Sequence, residues 1–188
     1  GAPVEAHLEL LGLLNSSVAL FWIRNASQAH VSGGEPWEHH FDIGSTMLQK
    51  FPIPAAAPTE RTGGIDKLAQ RLQGMLPEAI AKERAPTAFA LEDASAEAAG
   101  LRLRMISLQE ELDWECYRLY GLVDQDLTPP ADELPVLEKG QRAFEIALAR
   151  RMTAGEATSS WFERHGSKPI TDLPDHWPES YRKVVERR

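Results

Sequence analysis

The densest run of reactive side chains in this sequence is "QEELDWE", which carries Glu110, Glu111, Asp113 and Glu115 within six residues. On a helix Glu111 and Glu115 share a face, with Arg118 three residues further on. A carboxylate pair of that kind can divide general-acid and general-base roles. No histidine and no glycine-rich loop accompanies it, however, and the same spacing suits a solvated, charge-laced helix face, which is the expectation for this run. His39 and His40, between Glu38 and Asp42, are metal-ligand types. Adjacent residues converge poorly on one ion and helical i, i+4 spacing is missing, so no metal site is expected. Cys116 is the only cysteine, which excludes an intrachain disulfide and a thiolate cluster and favours a reducing compartment. It falls on an apolar stripe and reads as a small core residue. His165, close after Trp161 and Phe162, reads as a hydrogen-bonded structural histidine. Gly63-Gly64 lacks the Lys-Ser/Thr of a phosphate loop, and there is no G-x-S-x-G elbow. No catalytic, cofactor-binding or metal-binding residue is expected.

Nucleic-acid chemistry has a narrower footing. Arg142, Arg150, Arg151, Arg182 and Lys183 are the candidate DNA contacts, in basic clusters completed by Arg187 and Arg188. Solvated surface is the competing reading for each. The net charge of −8 argues against coating nucleic acid by charge alone. Its distribution is uneven: residues 139–188 hold 10 Lys/Arg and 7 Asp/Glu, whereas residues 1–138 hold 10 and 21. The chain is an acidic body with a mildly basic tail.

The elements that must position these residues read as mainly helical. At 188 residues, 43% hydrophobic and 26% charged, the composition is that of a globular chain able to bury a core. No apolar run reaches the roughly 18 residues of a membrane span, and the opening stretch lacks a basic start, so neither a span nor a secretory signal is expected. Leu8–Asn25 has helical apolar spacing interrupted by Asn15-Ser16-Ser17. On one continuous helix Asn15 joins the stripe of Leu11 and Val18, and should be mostly buried and hydrogen-bonded. Alternatively Asn15 or Ser16 caps a second helix at a kink. A loop with a short extended segment follows, through Phe51-Pro52-Ile53-Pro54.

Ile65, Leu68, Leu72, Met75 and Ala79 form the seam of a helix over 65–83. Its partner is a helix over 96–122 with Leu101, Met105, Leu108, Leu112, Cys116 and Leu119 in line. The two are expected as a long antiparallel hairpin, with Leu72 and Leu108 in its buried seam and the Leu8–Asn25 helix as part of its cover. Further helices follow: one with Phe144, Ile146, Ala147 and Leu148 as apolar positions, a short one ended by Gly166, and a last one opened by Pro178. The expected parts are residues 1–60, a helix with a loop and extended segment; residues 61–122, the hairpin; and residues 123–188, a helical extension.

Several blocks carry a family resemblance: "LLGLLNSSVALFWI", "STMLQKFPIP", "LQEELDWECYRLYGL", "AFEIALARRM", "WFERHGSKPIT" and "HWPESYRKVVERR". In this order the chain resembles the C-terminal part of the adenine-specific DNA methyltransferases of bacteriophage-exclusion (BREX) systems, the PglX-type enzymes. The Leu-Leu-Asn-Ser element and the later Pro-Ile-Pro are also similar to specificity regions of Type IIG restriction–modification enzymes. The resemblance implies a parent that binds S-adenosylmethionine and methylates the N6 of adenine. Its Asn-Pro-Pro-Tyr/Phe loop and glycine-rich cofactor loop would lie upstream, because Thr128-Pro129-Pro130-Ala131 is not that loop. For this stretch it implies a non-catalytic, cofactor-free target-recognition or scaffold role, with residues 1–60 part of a target-recognition-like region. The implied partners are duplex DNA through the parent, the upstream methyltransferase domain and other defence proteins, in the cytoplasm and away from membranes. The alternative is a helical protein–protein interaction module without direct DNA contact.

Overall fold

Residue 87 begins the longest element of the computed structural model, which describes residues 3–27, 29–30, 40–83, 85–130 and 133–188. The Thr87 hydroxyl accepts the Ala90 N–H at 3.2 Å and starts a 32-residue helix. Rich in Ala, Leu, Glu and Arg, this helix spans Ala88–Leu119 and is here α6. Before it in the chain come α1 (Val4–Leu14), α2 (Ser17–Ala26), β1 (Ala29–His30), β2 (His40–Phe41), α3 (Ser45–Leu48), α4 (Thr59–Gly74) and α5 (Pro77–Glu83). After it come α7 (Ala143–Thr153), α8 (Trp161–His165) and α9 (Glu179–Val185). The strands β1 and β2 form one antiparallel two-residue pair, with Ala29 opposite Phe41. The protein is mainly helical. Among the described residues no single helix is long and apolar enough to cross a membrane.

Three contacts fix the direction of the hairpin. Arg61 on α4 meets Glu115 at 2.7 Å, Gly64 faces Leu108, and Arg71 meets Glu97 at 2.9 Å. As the α4 number rises the α6 number falls, so the helices are antiparallel, as their spacing predicts. The seam differs from expectation in depth. Leu72 and Leu108 are half-buried, whereas Leu101, Leu112 and Cys116 on α6 are fully enclosed. Leu108 borders an open cleft with Gly64, Lys67, Pro129 and Leu134, whereas Leu112 and Cys116 pack beneath Leu13 of α1 and Ala19 of α2. The first helix of the hairpin also breaks at Met75-Leu76, and Pro77 opens α5.

The opening apolar run is two helices bent by 68°. Ser16 makes the corner: its hydroxyl donates to the Leu13 carbonyl at 2.7 Å and accepts the Ala19 N–H at 3.2 Å. Ser16 is therefore the buried polar residue. Asn15, expected to be mostly buried, is exposed at the end of α1. Its amide donates to the Leu11 carbonyl at 2.8 Å, and its own carbonyl accepts from Gln109 at 3.0 Å. Asn15 stays beside Leu11, which is itself 46% exposed, so the stripe that would have buried it faces outward at this end of α1.

Gly12 lets α1 press on α4. A Cβ there would fall 2.0 Å from the Thr62 hydroxyl and 3.2 Å from Pro58. Beside this crossing Leu13, Ala19, Phe51, Leu112 and Cys116 form one core cluster, with Trp22 edge-on to Phe51. The Cys116 thiol is pushed up to about 12 by burial, in keeping with a core role. A second cluster joins Leu137, Ala143, Ile146, Trp177, Tyr181 and Val185, with Ile106 and Trp114 of α6 packed on it. The inner face of α7 is Ala143, Glu145, Ile146 and Ala149; Phe144 and Ala147, expected among its apolar positions, face outward. Leu148 is half-buried. At Gly140 the backbone has φ +92° and a Cβ would fall 2.4 Å from the Lys168 carbonyl, so this turn admits only glycine without a shift.

Candidate functional site

The acidic run of α6 is interior. Glu110, Glu111 and Asp113 are 2%, 0% and 2% exposed, which corrects the expectation of a solvated face. Burying three carboxylates requires partners for each of them. Arg142, the residue before α7, supplies one set: its Nε donates to Glu110 at 2.8 Å and its Nη2 to Asp113 at 2.5 Å. Arg188 supplies the other, donating through Nη1 to Glu110 at 3.3 Å and through Nη2 to Glu111 at 2.5 Å. Neutral donors complete the shell. Trp114 Nε1 reaches Glu110 at 2.8 Å, the Tyr181 hydroxyl reaches Glu111 at 3.2 Å, and the Ser17 N–H reaches Asp113 at 2.7 Å.

The cluster therefore ties α6 to the start of α2, the start of α7, α9 and Arg188. Arg188 also donates to the Leu127 carbonyl at 2.7 Å. Three carboxylates face two guanidiniums, so the group holds an excess negative charge. Burial pushes the Glu111 carboxyl above the usual range, with the Arg188 hydrogen bond pulling against it. Burial works against the Arg142 charge as well, but Glu110 and Asp113 outweigh it and raise its pKa further. Every carboxylate oxygen here already accepts a hydrogen bond, which suits a lock between elements better than a proton-transfer pair.

Glu145 extends the lock outward. Its Oε2 accepts the Gly140 and Arg142 N–H groups at 3.0 and 3.1 Å. Its Oε1 accepts Trp161 Nε1 at 2.9 Å. Trp161 stacks on His165 with 3.8 Å between ring centroids and meets Phe144 edge-on at 5.1 Å. His165 Nδ1 lies 2.7 Å from the Trp161 carbonyl, the hydrogen-bonded place beside aromatics that its neighbours predict.

The five candidate DNA contacts separate into two groups. Arg142 is largely enclosed and its charge is matched by Glu110 and Asp113. Arg150 and Arg151 of α7, and Arg182 and Lys183 of α9, lie outside the core. Arg150 joins the two helices, donating to the Thr171 carbonyl at 2.7 Å and pairing with Glu186 at 3.1 Å. Arg182 is 3.7 Å from Asp175, and Lys183 is 2.6 Å from Glu179. Arg151 is exposed. Asp172, Leu173, Glu179, Ser180, Glu186 and Arg187 join Arg182 and Lys183 around an open depression of about 950 Å³, whose three cations are matched by three acids. Of the metal-type residues weighed earlier, Glu38 and His39 lie outside the described residues; among the described ones no group of three or more could hold a metal ion.

The sequence marks Glu110, Asp113 and Arg188 as charged positions but not as partners in one buried cluster. Their one signal in the sequence is the contrast between acidic body and basic tail, which becomes an internal pairing on folding.

Residues 105–188 match a family model described as a domain of unknown function (DUF7008). That range includes both sides of the buried lock. No solved structure matches the chain. A protein of Streptomyces coelicolor described as "Adenine-specific methyltransferase PglX" is 45% identical over 204 aligned residues, which take in 100% of this chain. The chain spans 17% of the length of that relative. Along its whole length, from Gly1 to Arg188, the chain is thus a homologue of one segment of a PglX-type protein.

Proposed function

We propose that this chain is a non-catalytic target-recognition or scaffold part of an S-adenosylmethionine-dependent adenine-N6 DNA methyltransferase of a phage-defence (BREX) or restriction–modification system. It is the C-terminal part of that enzyme, and the cofactor and catalytic loops belong to an upstream domain. The observation that carries this reading is the whole-length identity to a protein described as an adenine-specific methyltransferase. The side chains support it: the densest carboxylates are consumed in holding helices together, while Arg150, Arg151, Arg182 and Lys183 lie on the α7–α9 side, three of them in surface ion pairs that phosphate can compete for. Those four cations are the proposed phosphate contacts, and duplex DNA is held while the target adenine is turned out of the stack.

A second reading is favoured by the α1–α2 surface. Leu10, Leu11, Leu20 and Phe21 are exposed there, Phe21 by 70%. Large apolar side chains gathered on one surface mark a place where protein packs. In that reading the segment docks on the rest of its parent and makes no DNA contact. One preparation separates the two. The chain is incubated with labelled duplex DNA and S-adenosylmethionine, and both gel retardation and N6-methyladenine are read. Retardation at low salt with no methyl transfer is the expected result. Fragment-dependent methylation would overturn the non-catalytic assignment, and absence of retardation would leave the docking module as the function.

A further inference from the structure

We propose that the Trp161–His165 pair is a ledge on which an unpaired DNA base stacks, adjoining the cations of α7 and α8. The proposal rests on the DNA-holding reading above and gives it a second, non-phosphate contact. The two rings are 24° from parallel at 3.8 Å, so His165 covers one face of the indole. His165 itself is exposed, and with one face on Trp161 its open surface is the opposite face and the ring edge. The column thus ends in a flat ring to which a third planar ring can be added.

The ledge is built and held. Glu145, 5% exposed, fixes the indole through its N–H, and the Trp161 carbonyl fixes the imidazole through Nδ1. Phe144, also outward-facing, adjoins Trp161 edge-on. The surrounding charge favours an anionic partner. Arg164 lies over the indole at 5.9 Å, Arg151 is seven residues from Phe144 on the same face of α7, and Lys168 follows three residues after His165. The three cations are exposed, whereas Glu145, the acid nearest the indole, is buried and engaged by the Gly140, Arg142 and Trp161 N–H groups, leaving Glu156 and Glu163 as the exposed acids of this stretch. Aromatic rings beside cations are the arrangement that holds single-stranded nucleic acid, because every base offers a π-face and every linkage a phosphate. A paired duplex keeps its bases inside, so the ledge discriminates for strands that have been opened.

Fluorescence anisotropy of the 188-residue chain with three labelled DNAs tests this: a single strand of about ten nucleotides, the paired duplex, and that duplex with an unpaired bulge. His165→Ala is expected to weaken the single strand and the bulge roughly tenfold or more while leaving the paired duplex unchanged. His165→Phe, which keeps a flat ring, is expected to restore binding, and thermal melting of both variants should match the parent. Retained duplex binding with a single-strand affinity insensitive to His165→Ala overturns the ledge alone. Equal loss on all three DNAs also overturns it, since stacking would then have no part. Absence of affinity for every DNA form in the parent chain overturns the DNA-holding reading together with this one.

Discussion

Arg142 and Arg188 sit where two long side chains must each satisfy two acids, and that is the most fragile chemistry in the molecule. Removing one guanidinium leaves buried negative charge without its partner, which is far more damaging than removing an ion pair outright. Arg142→Ala should therefore destabilise the chain by about 3–5 kcal/mol in urea unfolding. Arg151→Ala, on the exposed side of α7, should stay within about 0.5 kcal/mol. Equal effects would show that the two arginines are not in different surroundings.

Glu111 adds a pH dependence whose sign follows from the direction of its shift. Its pKa is raised in the folded chain by burial. Its contribution to stability is then fully present below the ordinary glutamate value, and is lost as pH rises through the elevated folded value. Urea midpoints measured upward from that ordinary value should fall in the parent and fall less in Glu111→Gln. Parallel curves for the two proteins would mean that Glu111 is not held above its usual range.

Among the elements, the α1–α4 crossing depends on a missing methyl group. Gly12→Ala puts a Cβ onto the Thr62 hydroxyl, and such overpacking costs about 1–3 kcal/mol. Thr62→Ala in the same chain should recover part of that loss, so the double-mutant cycle should show coupling well outside simple additivity. Additive losses would place Gly12 away from Thr62. The α4–α6 pairing is legible in the sequence because its apolar spacing holds over several turns, but its depth is not: Leu112 and Cys116 are enclosed, whereas Leu72 and Leu108, expected in the buried seam, are half-buried. Two other features at this scale were not legible either. The corner at Ser16 needed a choice between a buried Asn15 and a capping serine, and both satisfy the same local pattern. The inner face of α7 was misread because Phe144 looks like core by type. Tertiary contacts instead place small Ala143 and Ala149 inward, where they let the helix approach its neighbours.

At the scale of the whole molecule, an acidic body and a basic tail were visible as opposite local charges, but periodicity says nothing about residues separated by 78 positions, as Glu110 and Arg188 are. The charges find each other inside, leaving α7, α8 and α9 to present the cations that remain. The homology covers the chain from end to end. On the proposed role, a net-acidic chain grips duplex DNA through the local cluster of cations on α7 and α9.

Affinity for a duplex measured across a range of salt concentrations tests that claim most directly. Each phosphate neutralised adds about 0.9 to the downward slope of log affinity against log salt. The parent chain should show such a slope, and the double variant Arg151→Ala, Lys183→Ala should flatten it by about one per cation removed. A parent that binds no DNA at low salt, or a variant whose slope equals that of the parent, would contradict it.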